Sequence, residues 1–333
     1  MIHYFKKVKL RIYYYRTLYK KYKTQKRKYA SPTIKFYNFW KTKNIEDFWF
    51  YRFITYNNLD SKKMVLNFIS VFGDKNLIWF IRGGFKIFFT GENLNPKTAV
   101  YSNYIKYEDH YGDKVDLALG FNCQENMPVK YMRFPLWITY FVPAESTLRS
   151  LKKLISKYNS PETRKNTNRV RFAVHISRHD RNEVRSEIIQ DMNTIENVCC
   201  AGKFMNNTNE LKEVYNDNKL VFLKNYKFNI CPENSNSSGY VTEKLFHSII
   251  SGCIPVYWGS DNLPEPEIIN PDAVLFYDRN NKEEFLKKVK ELIDSESAYQ
   301  DFLNIPPFKD HAAETIWKYL EELKSRLNIV VEK

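Results

Sequence analysis

The chain has 333 residues, long for one hydrophobic core and enough for two domains of about 150 residues each, and its 43% hydrophobic content allows both to be built. The formal net charge is +14, yet residues 1–30 hold eleven Lys or Arg and no acid, which leaves about +3 for the rest. A nucleic-acid enzyme spreads basic charge over its folded surface, so this distribution argues against a nucleic-acid partner and for a basic segment that meets an acidic surface.

In the first segment Met1, Phe5, Val8, Ile12, Tyr15, Tyr19 and Tyr22 recur in steps of four and three, one stripe of a helix. Lys, Arg and Tyr fill most other positions. A basic amphipathic helix of this kind suits an anionic membrane surface; a dimerising coiled coil and a disordered arm are the alternatives. From Thr33 the pattern changes. "TIKFYNFW" predicts a strand. "NIEDFWFYRFI" predicts a helix capped by Asn44, with Glu46 and Asp47 in its first turn. "FKIFFT", ended by Gly91-Glu92-Asn93, and "KVDLALGF" predict strands, and "VKYMRFPLWITYF" leads into Pro143. A helical "AESTLRSLKKLISKY" and the turn-rich "NSPETRKNTN" connect to a second alternation. There "NRVRFAVHIS", "KFNIC", "CIPVYWG" and "AVLFYD" read as strands. "SEIIQDMNTI", "NKEEFLKKVKELI" and "AAETIWKYLEELKSRL" read as helices. Alternating strands and helices predict layered α/β architecture, divided as a basic tail at 1–30, one domain at 31–160 and another at 161–333.

Five cysteines (Cys123, Cys199, Cys200, Cys231, Cys253) show no C-x-x-C spacing. The odd count points to free, buried thiols in a reducing compartment. No run reaches the ~18 apolar residues of a membrane span, and no continuous apolar stretch follows the basic N-terminus as in a signal peptide. The expected location is cytoplasmic, peripheral on the cytoplasmic membrane face.

The stretch "YKFNICPENSNSSGYVTEKLFHSIISGCIPVYWGS", residues 226–260, is the most informative. A strand ends at a polar loop, and a helix follows with Val241, Leu245, Ile249 and Ile250 on one face and Gly252 as its C′ residue. Lys244 falls in the first turn, where the helix dipole disfavours a cation by about 0.3–1 kcal/mol. A bound anion would reverse that sign; pairing with Glu243 or a distant acid is the plainer alternative. Glu233 and Asn234 stand in the loop beyond the strand, where α/β sheets place ligands. Neither a G-x-G-x-x-G nor a P-loop pattern is present.

This stretch resembles the donor-binding signature of the α-1,3/4-fucosyltransferases, glycosyltransferase family 10. "FKIFFTGEN", "DLALGFN…YMRFPLW", "NVCCAGKFMNN" and "AVLFYDRNNKEEFLKKVKELIDSESAYQDFL" resemble family segments in the same order, and the likeness covers about residues 33–310. The basic segment lies outside it. The resemblance implies a GT-B arrangement, two Rossmann-like domains facing across a cleft. The first would take an acceptor oligosaccharide or glycoconjugate and the second GDP-fucose. It implies transfer of L-fucose with inversion to an acceptor hydroxyl, the 3-OH of GlcNAc or Glc, giving an α-1,3 linkage. GDP-fucose would be a co-substrate, with no cofactor or metal required; no Asp-x-Asp stands at a strand end.

Carried over by residue, Glu92 matches the family's base and Lys244 its diphosphate lysine. Arg185 best matches a second diphosphate cation, though "SRHDRNEVR" also offers Arg178 and Arg181. Glu243 matches a carboxylate near the donor ribose and fucose, suited to offset charge developing on the sugar. Tyr240 and Asn234 match donor contacts, and Ser177 lies at a strand end near the nucleotide. His175, His179 and His247 are read as structural or solvated. Phe39, Trp40 and Trp49 are candidate sugar platforms among aromatics that mostly serve the core. Two other readings fit the same residues: a GT-B transferase for another nucleotide sugar, and a non-catalytic membrane-binding module.

Overall fold

The computed structural model describes residues 2–60, 64–128, 130–165 and 169–331. Met1, where the expected stripe begins, and residues 166–168 of the expected connecting zone lie outside that range. The chain divides into two compact units, residues 1–134 with 143–145 and 320–333, and residues 135–142 with 146–319. Among the described residues each unit holds one five-stranded parallel sheet, so the two-domain α/β class is present.

In the first unit β1 (Ile34–Tyr37), β2 (Leu66–Ile69), β3 (Phe85–Phe89), β4 (Leu117–Gly120) and β5 (Tyr131–Arg133) lie in sequence order. Phe36 stands opposite Phe68, Ile69 opposite Phe88 and Phe89 opposite Leu119. Both faces of β2 and β4 are buried, which is why β4 reads as an unbroken apolar run rather than an alternating one; in β2 the buried Asn67 donates its amide to the Val65 and Gly83 carbonyls at 3.3 Å. One side of the sheet is an aromatic cluster: Phe36 stacks on Phe48 at 4.2 Å and on Phe68 at 5.1 Å. Phe39 and Trp49, considered above as sugar platforms, are 8% and 4% exposed and belong to this core; Trp40 is half-buried between Phe39, Phe72 and Phe89.

The same cluster breaks the helix expected over 44–54. The start is as predicted, for the Asp47 carboxylate accepts from the backbone N–H of Asn44 at 2.9 Å. Phe48, however, is extended (φ −76°, ψ 125°) between a 3-10 turn at Ile45–Asp47 and the helix Trp49–Tyr56. That backbone lets its ring lie on Phe36, and tertiary stacking overrides local periodicity.

Residues Ile2–Lys28 form one helix. Its docked side is not the stripe picked out by spacing. Leu18 and Tyr22 are buried, and Tyr14 joins the same cluster with Tyr37, Leu77 and Ile78. The Tyr14 hydroxyl donates to Asp74 at 2.7 Å and accepts from Asn76 at 3.0 Å. Gln25 Oε1 accepts from the backbone of Asn38 at 2.8 Å. Tyr14, Leu18, Tyr22 and Gln25 follow the four-four-three spacing of one helix face. Of the described residues in the expected stripe only Tyr22 is buried; Phe5, Val8, Ile12, Tyr15 and Tyr19 are exposed.

In the second unit β6 (Arg171–His175), β7 (Val198–Cys200), β8 (Tyr226–Ile230), β9 (Ile254–Tyr257) and β10 (Leu275–Phe276) take the order β10-β9-β8-β6-β7. After β6 the chain adds β7 on one side, then returns to lay β8 on the other. The direction of winding therefore reverses between β6 and β8. The helices Val184–Asn193 and Lys282–Asp294 contribute to the core on this sheet. The helix Glu243–Ser251 ends at Gly252, whose φ of 74° is the left-handed C′ geometry read from sequence. Trp137 stacks on Phe246 of that helix at 4.4 Å and donates its indole N–H to Glu265 at 2.8 Å. Cys200, Cys231 and Cys253 are buried as expected, but Cys123 is exposed.

Phe36→Ala removes a ring stacked on both sides in the first core. It is expected to destabilise that unit by about 3–5 kcal/mol, read as a lower urea midpoint for its unfolding.

Candidate active site

In open α/β sheets ligands bind beyond the carboxyl ends of the strands, where the winding reverses. In the second unit that place is between β6 and β8. The segment following β6 carries Ser177 and that following β8 carries Glu233 and Asn234. Gly259 follows β9. The first sheet, wound in one direction among the described residues, has no such reversal.

Glu233 is the centre of the local order. Its side chain is fully buried. One carboxylate oxygen accepts from the backbone N–H of Thr242 at 2.7 Å. The other accepts from the Thr242 hydroxyl at 2.7 Å and from Lys244 Nζ at 3.2 Å. Lys244 also donates to the Thr242 hydroxyl oxygen at 2.9 Å. Every one of these partners is a donor, as an ionised acceptor requires. Gly259 closes the other side. A Cβ there would stand 2.8 Å from Glu233 Cβ, and φ is +133°, so a side chain would both clash and strain. The cation at the helix start is thus already met inside the protein by a buried acid, which corrects the inference that it calls for a bound anion on grounds of charge alone.

Charge remains unevenly balanced around it. Burial would raise the Glu243 carboxyl, but Lys244, Lys219 and His247 outweigh it and hold it down at about 2. Burial would lower the Lys244 ammonium, yet Glu233 and Glu243 hold it above its ordinary value. Lys219, at the start of the short helix Lys219–Leu223, is pushed down by burial and by Lys244, with Glu243 opposing. Arg185, Lys219 and Lys244 are thus gathered around Glu243 and the Glu233 carboxylate, with burial opposing the charge on Lys219.

Arg185 is buried in the first turn of the helix Val184–Asn193. It donates to the His179 carbonyl and, at 2.7 Å, to the Asn234 side-chain oxygen. Asn182 donates to the Asn234 carbonyl at 3.0 Å. Arg185 and Asn234 are therefore brought together, and the loop after β8 is tied to the helix after β6. Arg178 and Arg181, the alternatives to Arg185, are exposed. His179 is held below its ordinary value by burial, then by Arg185, Arg181 and Lys244.

Ser177 sits under His175. Burial pushes the His175 imidazole down to about 4, so it is neutral near pH 7. Nδ1 lies 2.9 Å from the Ile230 carbonyl and Nε2 2.8 Å from the Ser177 hydroxyl. A carbonyl can only accept, so the proton is on Nδ1, and Nε2 accepts from Ser177. Tyr240 is buried at the loop's end. Next to it is Tyr257, whose hydroxyl lies 3.5 Å from Glu233.

Glu92 belongs to the first unit. It lies just past β3, half-buried, where its N–H donates to Thr90 Oγ1 at 3.0 Å and its carbonyl accepts from that hydroxyl at 3.1 Å. Asn93 Oδ1 accepts from the Asn95 N–H at 3.0 Å and its amide donates to Thr98 at 2.9 Å. The Glu92 carboxylate is close enough to Tyr104 to add to the raising of that phenol, which burial dominates. It is thus presented by a turn whose backbone is fixed on both sides.

Sequence reasoning named Glu233 without a role, read His247 as structural or solvated, and passed over Lys219. The signal for Glu233 is its place as the one acid in "CPENSNSSG". For His247 it is the four-residue step from Glu243, which sets both on one helix face. Burial pushes His247 down to about 4, with Lys219 adding to it. Lys219 has no local signal, since only the folding of a distant helix brings it beside Glu243.

A parallel sheet with charged side chains gathered over its switch point has the form of an open, doubly wound α/β unit. Two family models match the chain: the alpha-(1,3)-fucosyltransferase FucT N-terminal domain over residues 34–140, and the glycosyltransferase family 10 (fucosyltransferase) C-terminal domain over 163–323. The chain belongs to glycosyltransferase family 10. It is 27% identical over 248 residues to the alpha-(1,3)-fucosyltransferase FucT of Helicobacter pylori, covering 66% of this chain and 46% of that protein. It is 33% identical over 92 residues to alpha-(1,3)-fucosyltransferase B of Drosophila melanogaster, covering 28% of this chain and 21% of the relative. The matched stretches span less than half of these curated relatives. A crystal structure of an alpha1,3-fucosyltransferase with GDP-fucose superposes with a TM-score of 0.58 at 22% identity, over 90% of this chain and 91% of the other. At that identity the likeness speaks for the fold.

Glu233→Gln removes the carboxylate that accepts from both Lys244 and Thr242 and leaves Glu243 as the remaining acid beside Lys244, and a loss of about 3 kcal/mol is expected, read from urea unfolding of the second unit. The histidines set a pH dependence. The folded values of His175 and His247, about 4, lie below the unfolded value of about 6.5. Stability is therefore full above about pH 6.5 and falls toward pH 4. Glu243, held at about 2, extends the loss below about pH 4.3. His175→Gln is expected to be less stable at pH 7 but to lose less between pH about 7 and about 4.5, measured by thermal unfolding.

Proposed function

We propose that this protein transfers L-fucose from GDP-fucose to a hydroxyl of an acceptor glycan, with inversion, giving an α-1,3-linked product. The observation that carries the reading is the set of cations at the reversal of the second sheet. They lie over the carboxyl ends of β6 and β8, in a chain whose family is named for fucose transfer.

In this reading the diphosphate of GDP-fucose lies by Lys244 and Arg185, with Lys219 adding positive potential from beneath. The bond between fucose C1 and the phosphate oxygen breaks, and its electron pair leaves on GDP, where the fixed cations stabilise the growing charge. Glu233 holds Lys244 in place before the substrate arrives, so little reorganisation is needed at the moment of transfer. Glu243 stays ionised at neutral pH because of the cations around it and faces positive charge developing on the sugar ring. Asn234 and Ser177 contact the nucleotide or sugar, and Tyr240, expected as a donor contact but fully buried, supports the end of the loop that carries Asn234. Glu92 takes the proton of the acceptor hydroxyl as its oxygen bonds to C1 from the face opposite the departing GDP, turning a β-linked donor into an α-linked product. The acceptor hydroxyl is the 3-OH of GlcNAc or Glc. The charge on the departing diphosphate is met by side chains, so GDP-fucose serves as co-substrate without a further cofactor.

Two variants separate the halves of the reading. Lys244→Ala is expected to weaken GDP and GDP-fucose binding by calorimetry; unchanged affinity would remove the diphosphate assignment. Glu92→Gln is expected to keep GDP-fucose affinity while product formation from lactose and N-acetyllactosamine falls by about 10²–10⁴-fold. Full turnover by that variant would remove it as the base.

A further inference from the structure

The N-terminal helix has three sides. One, formed by Tyr14, Leu18, Tyr22 and Gln25, is docked on the first unit. About a quarter-turn away, at 100° per residue, runs the exposed stripe of Phe5, Val8, Ile12, Tyr15 and Tyr19. A shallow groove of about 540 Å³ lies along it between Val8 and Tyr19. The basic residues Lys9, Arg16, Lys20 and Arg27 flank the stripe on the side away from the unit, and no acid occurs anywhere in the segment. Phe5 is 57% exposed and Ile12 48%, unusual for side chains of this size arranged contiguously.

We propose that this exposed half lies flat on an anionic lipid bilayer and, because its other face is docked, holds the first unit in a fixed orientation to that surface. Charge selects the occupant. Eleven cations without one acid repel a second copy of the same helix, whereas they attract lipid phosphates. Duplex nucleic acid would satisfy the cations but leave the aromatic and aliphatic stripe in water. A bilayer takes both, the stripe among the acyl chains and the cations at the headgroups. No described helix is long and apolar enough to cross a membrane, so the contact is with the surface. The helix is an outrigger built into the fold rather than a tether. Tyr14 is fixed by Asp74 and Asn76, and Tyr22 stacks on Tyr37 at 5.6 Å and on Phe80 at 5.9 Å.

The test uses the full chain and flotation with phosphatidylcholine vesicles, pure or containing about a third phosphatidylglycerol. Binding is expected only to the anionic vesicles. The combined variant Phe5→Ser, Val8→Ser, Ile12→Ser, Tyr15→Ser should weaken it roughly tenfold or more while the unfolding transition and nucleotide binding are retained. Wild-type affinity in that variant would overturn the proposal, since charge alone would then suffice. It would also be overturned by a lipid-free dimer that the variant turns into monomer with vesicle binding unchanged, or by binding to duplex DNA but not to vesicles. Orientation is read separately, by energy transfer from a fluorophore on the exposed Cys123 to a lipid dye. Leu18→Asp, which undocks the helix, should keep vesicle binding and change the transfer efficiency. Equal efficiency in the two proteins would overturn the fixed orientation.

Discussion

The buried carboxylate of Glu233 holds the second unit's charged residues in place. It accepts from the backbone of Thr242, from the Thr242 hydroxyl and from Lys244, and Gly259 packs against its stem. A carboxylate in such a position is tolerable only because donors satisfy it on both oxygens. In return it fixes where the helix Glu243–Ser251 begins and where the Lys244 ammonium stands. Glu243 is then ionised because Lys244 is held beside it, and Lys219 feels both. One acid thereby sets the protonation of a cluster spread over a loop and two helices.

The cluster is placed by topology. The return of the chain across β6 to form β8 opens a gap between two neighbouring connections, and the polar loops that follow both strands converge there. Arg185 and Asn234 join one loop to the helix that follows the other, so the gap has rigid sides. The first sheet grows in a single direction and offers Glu92 differently, on a turn at the end of a central strand with Thr90 fixing the backbone on either side of it.

Much of this was visible in the sequence for a simple reason. Parallel strands buried on both faces are apolar runs, and β4 and β9 stand out as such between polar loops, while β8 carries Lys227 and Asn229 between its apolar residues. The end of the 243–251 helix was legible because only glycine sits comfortably at a φ of 74°. What could not be read depends on contacts between distant residues. Phe48 leaves a helical pattern because Phe36 is waiting for its ring. The N-terminal helix docks by Tyr14, Leu18 and Tyr22 rather than by its most regular apolar stripe, because Asp74, Asn76 and Tyr37 lie on that side. Lys219 reaches Glu243 only in the folded chain. At Lys244 the local anomaly was real, but its electrostatic partner inside the protein, Glu233, lies eleven residues away across a loop.

The bond between His175 and Ser177 has a consequence for what can approach the end of β6. The imidazole has committed its own proton to a main-chain oxygen, and so it claims the proton of the serine; the more distant His179 carbonyl, at 3.4 Å, is a poor rival for it. What Ser177 turns outward is then lone pairs only. An incoming amino, imino or hydroxyl group finds a willing oxygen there, and a group bringing only lone pairs finds repulsion. A residue that elsewhere could give or take is made one-sided by a neutral ring buried behind it.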